Sequence, residues 1–267
     1  MKRNILVVGA VAVLAACGVS TQQEVEMGQQ YSQQINAQLP IISDPEINRY
    51  VNVLGDSIAG LSDERNLEWR FYVVDSRDVN AFAVPGGFIY INRGLIERSE
   101  NLSMLAGVLG HEIGHVIERH SVQQMEKMQQ AQIGVQLACI LTRVCENQAT
   151  GALINVAGTA VFAKFSRDDE READQVGIQY VAAAGIDPRG IPEMFQILLN
   201  ERQGGRGGVE AWFATHPLEE ERIERTRAMI SQFNVAQLNQ LTKNTNAFVA
   251  FQQRLRSLPA APQRAAR

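Results

Sequence analysis

Two histidines four residues apart, with a glutamate directly after the first, are the residues in this chain best suited to chemistry: His111-Glu112-Ile113-Gly114-His115. On a helix, residues at that spacing project from nearly the same side with β-carbons about 5 to 6 Å apart, so both imidazoles can meet one tetrahedral ion. Glu112 lies on an adjacent rotation. From there its carboxylate can take a proton from a water attacking a carbonyl and later pass it to the leaving group. The His-Glu-x-x-His pattern therefore reads as a site for one zinc ion per chain, with His111 and His115 as ligands and Glu112 as general base. The plainer reading, two histidines satisfied on a helix surface, loses weight beside the acidic segment further along the chain.

A catalytic zinc needs a third protein ligand and an open fourth position. One extension of the motif places a glycine and then a third histidine three and six residues after His115, but Glu118 and Ser121 stand there. The third ligand must come from further along the chain. Ser166-Arg167-Asp168-Asp169-Glu170-Arg171-Glu172-Ala173-Asp174 offers several carboxylates at the start of a second helix, expected over about residues 168–184 and stopped by Gly185.

These side chains need elements to hold them. Asn101 can cap the motif helix, in which Leu102, Leu105, Leu109, Ile113 and Val116 recur at helical spacing. Asp44-Pro45 is an N-cap followed by proline in the first turn, and Ile47, Val51, Leu54 and Ile58 form one apolar face before Gly60. Between these helices the pattern changes to strand at residues 71–74, 81–84 and 88–91, with Pro85-Gly86-Gly87 as the turn between the last two. The expected fold class is mainly α with a small antiparallel sheet (α+β). The apolar stretch 131–165 is cut by Arg143, Glu146 and Asn147 into pieces too short to span a membrane, so buried helices, ahead of a surface-dipping hairpin, fit it better. Gly204-Gly205-Arg206-Gly207-Gly208 signals a loop, and residues 258–267 a flexible tail.

Of the 267 residues, 45% are hydrophobic and 20% charged, enough for one substantial core with short extensions. The net charge of −4, with signs mixed along the chain, provides no basic stripe for nucleic acid. At the N-terminus, Lys2 and Arg3 precede an unbroken apolar run over residues 5–16, the charge and length of a secretory signal. The run ends in Leu14-Ala15-Ala16-Cys17, which resembles a bacterial lipobox with Cys17 as the acylated mature terminus, against the plainer reading of an ordinary cleavage site. Acyl chains would anchor the protein to a membrane without a spanning helix. The expected organisation is a signal peptide at 1–16, a lipidated terminus and tether helix at 17–40, a catalytic domain at 41–257 and the tail. In an oxidising compartment Cys139 and Cys145 can pair, provided the chain between them is not a continuous helix; otherwise they are two small buried hydrophobes.

Four ordered stretches together resemble the HtpX and CAAX-protease-type zinc metallopeptidase family, in its BepA/LoiP-like branch of periplasmic lipoproteins. They are Asn80-Ala81-Phe82-Ala83-Val84-Pro85-Gly86-Gly87, the His111–His115 motif with Arg119-His120 after it, Ser166-Arg167-x-x-Glu170-x-x-x-Asp174, and Thr215-His216-Pro217. The resemblance spans most of the chain after the signal and implies a zincin-like domain. It also implies Glu170 as third ligand and Asp174 as the carboxylate supporting the first histidine from behind. Glu172 lies about 200° around the helix from Glu170, so the two cannot both face the ion, whereas Asp174 shares Glu170's face. His216 resembles a family histidine that either plugs the zinc at rest or stabilises an oxyanion during turnover. Arg222 is a candidate for a second oxyanion or substrate-positioning group, or else a solvated arginine among glutamates. His120, about 140° around a helix from His115, reads as structural. Residues Asn80, Ala81, Phe82, Ala83 and Val84 resemble an edge strand onto which an extended peptide adds through main-chain hydrogen bonds. By this resemblance the chain is expected to cleave misfolded or misassembled envelope proteins, and Gly18 after the lipobox cysteine, where an aspartate is associated with inner-membrane retention, points to the periplasmic face of the outer membrane. The rival is a latent or chaperone-like zinc protein in which His216 closes the site. Oligomeric state has no signature in the sequence.

Overall fold

The computed structural model describes residues 18–61, 63–129, 164–205, 208–217 and 220–261. The signal segment, Cys17, Cys139, Cys145 and nearly all of the apolar stretch at 131–165 lie outside the described residues. Ser20 caps helix α1 (Thr21–Gln38) through a reciprocal capping box with Gln23. Asp44 caps α2 (Pro45–Ala59), accepting from the backbone N–H groups of Glu46 and Ile47.

Strands β1 (Arg70–Val74), β2 (Ala81–Val84) and β3 (Phe88–Asn92) form one sheet in the order β1-β3-β2. The turn between β2 and β3 needs two residues with positive φ, met by Gly86 (81°) and Gly87 (95°). β2 pairs antiparallel with β3, but β1 pairs parallel with it, Arg70 opposite Phe88 through Val74 opposite Asn92. The sheet is therefore mixed, which corrects the expectation of an antiparallel one. Residues 75–80 carry the chain past the site of β3 to the far edge, and the β2–β3 turn then lays β3 back in the gap, running the same way as β1. Alternation along a strand tells which face is buried, not which neighbour is paired.

α3 (Arg93–Arg98) leads to α4 (Leu102–Ile117), whose cap Asn101 accepts from the Met104 N–H. α4 is buried over 102–116, on all sides instead of along one stripe, and so forms the centre of the molecule. A further helical segment, 120–129, follows it. α5 (Arg167–Ala183), begun by a Ser166–Asp169 capping box, crosses α4 at very close range. A β-carbon at Gly114 would lie 2.8 Å from the Ala173 carbonyl oxygen, and one at Gly110 would lie 2.6 Å from a Val181 methyl. The rest of the chain forms α6 (Gly190–Gln203), α7 (Glu210–Thr215), α8 (Glu220–Ile230), α9 (Val235–Leu238) and α10 (Asn246–Ser257). The larger core joins α2, α4, α5, α6 and α10 to one face of the sheet; the smaller packs Phe82, Phe88, Tyr90 and Met125 with α1 residues on the other. After α10, the Pro259 carbonyl accepts from Arg93 and Ala261 is buried.

α1 is fixed to the domain by a buried charge. Glu24, fully buried, pairs with Arg65 at 3.0 Å and Arg119 at 2.8 Å, and Gly28 packs directly on the Pro85 carbonyl.

Candidate metal centre

α4 contributes His111, Glu112 and His115, α5 contributes Glu170 and Asp174, and His216 follows directly on α7. His111, His115, Glu170 and His216 are buried, and one donor atom from each lies within 4.8 Å of all the others. The two Nε2 atoms of His111 and His115 are 3.0 Å apart. His216 Nδ1 stands 3.3 Å from His111 Nε2 and 3.0 Å from Glu170 Oε1, and His115 Nε2 is 3.5 Å from that same oxygen.

Whether a cation fits can be read from the proton positions. His111 Nδ1 lies 3.1 Å from Asp174 Oδ1, an acceptor, so the ring proton belongs there and Nε2 carries the lone pair, with Arg222 Nη2 3.3 Å away. That lone pair faces His115, Glu170 and His216 inside a buried cluster. Nearby, neither oxygen of Glu112 has a hydrogen-bond partner among the described residues, and its closest charged approach is His216 Nε2 at 3.5 Å. Three imidazoles and a carboxylate converging on one point are a nitrogen and oxygen donor set of the kind zinc takes, and the cluster fits one zinc ion.

The electrostatics favour a neutral His115 and an ionised Glu170. Burial drives the His115 pKa well below its ordinary value, with neighbouring His111 adding to the effect, so the ring stays neutral and able to ligate. Burial raises Glu112, against the pull of His216 and His111. Burial alone would also raise Glu170 and Asp174, but the Arg222 guanidinium outweighs it and holds Glu170 well below the carboxylate range and Asp174 lowered. Burial works against protonation of His216, yet Glu170 and Glu112 win and raise it.

Arg222 is buried, not solvated. It pairs with Asp174 through Nε at 2.6 Å and Nη2 at 2.7 Å, contacts Glu170, and lies over the Phe195 ring at 4.3 Å. It thus meets one carboxylate of the donor cluster and the one behind it, and its Nη2 lies 3.2 Å from His111 Nδ1. Two aromatic residues not singled out from the sequence line the cluster: Phe165 stacks on His115 at 3.9 Å and Trp212 on His216 at 4.5 Å. Trp212, one turn before His216 on an amphipathic helix, is legible as core but not as a partner. His120 and Glu172 do not reach the donor cluster; His120 Nδ1 instead lies 2.9 Å from His115 Nδ1. β2 is an edge of the sheet. The Asn92 N–H bonds the Asn80 carbonyl, which sets the alternation so that Phe82 and Val84 bond to β3 while the backbone groups of Ala81 and Ala83 point away from it, although both residues are buried in this conformation.

Two crossed helices presenting such a donor cluster beside a small sheet define a zincin-like metallopeptidase site. Residues 43–230 match Peptidase family M48, and the chain belongs to that family. Over 227 residues it is 33% identical to a Yersinia pestis protein named beta-barrel assembly-enhancing protease, covering 82% of this chain and 46% of that one. The Escherichia coli K12 protein of the same name is 32% identical over 225 residues, with the same coverage of 82% and 46%. Mitochondrial metalloendopeptidase OMA1 of Bos taurus is 28% identical over 186 residues, covering 66% of this chain and 34% of its own length. The chain thus spans about half the length of the bacterial relatives it matches. Among the described residues, no helix is long and apolar enough to cross a membrane.

Proposed function

We propose that the protein is a zinc-dependent endopeptidase in which His111, His115 and Glu170 hold the metal and Glu112 is the general base. The observation that carries this reading is the buried Glu112 carboxylate, without a hydrogen-bond partner among the described residues, beside a buried cluster of three imidazoles and a carboxylate whose donor atoms lie close enough to hold one ion. A purely structural metal site has no use for such a group. When bound, zinc supplies Lewis acidity toward a scissile carbonyl and an attacking water. Glu112 takes the proton of that water and delivers it to the departing amine. Asp174 holds the His111 ring in orientation, and Arg222 holds Asp174 and Glu170 in place.

His216, in the same cluster, would then be a fourth donor that closes the site at rest and withdraws before substrate enters. An extended peptide would add to the outward groups of Ala81 and Ala83 on the edge strand formed by Asn80, Ala81, Phe82, Ala83 and Val84. Pairing through the main chain suits unfolded or misfolded protein substrates, because it tolerates many side chains. The bacterial relatives are named for enhancing β-barrel assembly, which supports misassembled envelope proteins as the substrates here. Residues 1–16 as a signal and Cys17 as the lipid attachment point would place the enzyme at the periplasmic face of the outer membrane, where Cys139 and Cys145 are a candidate disulfide.

The test is hydrolysis of unfolded casein by the chain beginning at residue 18. Chelation of the metal should abolish cleavage and one equivalent of zinc should restore it; cleavage that survives complete metal removal would overturn the reading.

A further inference from the structure

Helical periodicity alone gives His120 a structural role and turns Glu172 away from the ion. The structure brings the two together behind His115. His120 is almost fully buried, its Nδ1 is 2.9 Å from His115 Nδ1, and its Nε2 is 3.2 Å from Glu172 Oε2. We propose that His120 and Glu172 form a relay that orients His115 and fixes its tautomer for zinc, the counterpart of what Asp174 does for His111. The proposal rests on the reading of the cluster as a zinc site.

Donor and acceptor roles set the direction of the relay. An ionised Glu172 only accepts, so His120 must donate from Nε2 and its Nδ1 becomes an acceptor. His115 then donates from Nδ1, and its Nε2 is left bare, 3.0 Å from His111 Nε2 and 3.5 Å from Glu170 Oε1. The opposite direction would aim a lone pair of His120 at the carboxylate and a proton of His115 at the metal position. Each zinc-binding histidine of α4 is therefore backed by a carboxylate, His111 directly and His115 through an intervening imidazole.

The chain bends to make this contact. On an unbroken helix His120 would sit about 140° away from His115. α4 instead ends at Ile117, and Arg119 takes the left-handed conformation with φ 57°. That conformation is unfavourable for a residue other than glycine, and it is held by the buried Glu24, whose Oε2 accepts from Arg119 Nε at 2.8 Å. The bend returns the His120 ring to within 5.0 Å of the His115 ring.

The test measures zinc affinity by competition with a chromogenic chelator, on the full chain and four variants, alongside the thermal midpoint of each metal-free protein. His120→Leu, which fills the space without an acceptor, is expected to weaken zinc binding by about 10- to 100-fold. His120→Asn places an amide oxygen where Nδ1 stood and is expected to recover to within about threefold of native, a rescue that a merely space-filling role would not produce. Glu172→Ala removes only the outer link, from a side chain 59% exposed, and should cost about three- to tenfold with an unchanged metal-free midpoint. Asp168→Ala, which removes a like charge from the exposed surface of the same helix, should bind as native. Native affinity in His120→Leu, or an Asn variant no better than the Leu variant, overturns the relay. Should the His120 variants fail to fold, native affinity in Glu172→Ala overturns it, and a loss confined to that variant and not to Asp168→Ala sustains it. If the native chain itself binds no zinc, the reading of the metal centre fails instead.

Discussion

Replacing Arg222 with methionine removes the guanidinium that faces two buried carboxylates while keeping much of its length over Phe195. Arg222, Asp174 and Glu170 are all essentially inaccessible to water, so neither acid can recover the lost partner from solvent. Breaking a buried ion pair from one side costs about 3–5 kcal/mol, and because one arginine serves both acids the two losses overlap and do not add. At about 2–4 °C per kcal/mol for a chain of this size, the metal-free protein should melt about 6–20 °C lower at neutral pH. Circular dichroism during heating measures this directly. Burial pushes both acids up, and Arg222 reverses that in the native protein, holding them lowered. A depressed carboxylate contributes stability that is complete above its unfolded value and is lost as pH falls through the folded one. The gap between native and Arg222→Met should therefore be widest at neutral pH and narrow below about pH 4, where the variant's acids are protonated and the native pairing begins to fail. Adding Asp174→Asn to Arg222→Met should recover part of the loss. A change below about 1 kcal/mol would refute the buried pairing and show that Arg222 behaves as a solvated surface arginine.

Three further outcomes are expected from particular contacts. Gly114→Ala sets a methyl group against the Ala173 backbone at 2.8 Å and should destabilise by about 1–3 kcal/mol in chemical denaturation, weakening zinc binding as α5 carries Glu170 away. Glu24→Ala strands Arg65 and Arg119, both partly accessible, so its cost in a urea melt should be no more than about 3 kcal/mol; no cost at all would detach α1 from the domain. His216→Ala frees the fourth position and should raise casein hydrolysis severalfold, whereas a fall in rate would give His216 a part in turnover and not in closure.

How far the sequence reveals this arrangement depends on whether the determining contact is local. His111 and His115 share a helix, as do Glu170 and Asp174, so the 3.6-residue period alone puts each pair on one side, and the capping residues Asn101 and Ser166 mark where those helices begin. The strands at 71–74, 81–84 and 88–91 are visible in alternation and in the Pro85-Gly86-Gly87 turn. The parallel pairing of β1 is not, because its partner is chosen by the path of residues 75–80. Arg222 hides among glutamates that suggest a solvated face, and its burial depends on how α8 meets α5. His120 misleads because periodicity assumes a continuous helix, and no glycine announces the bend at Arg119. Glu24 is one acid in a glutamine-rich stretch, and its two arginines come from distant segments.

The role of Glu112 as general base at a zinc centre is decided by comparing the native chain with Glu112→Gln on unfolded casein while metal content is measured in both. Glutamine keeps the shape of the side chain and cannot take the proton. Each protein should hold one zinc ion per chain, with cleavage by the native enzyme and at least a 100-fold loss in the variant, about the smallest contribution of a positioned general base. Cleavage at the native rate by a zinc-loaded Glu112→Gln protein would rule that role out.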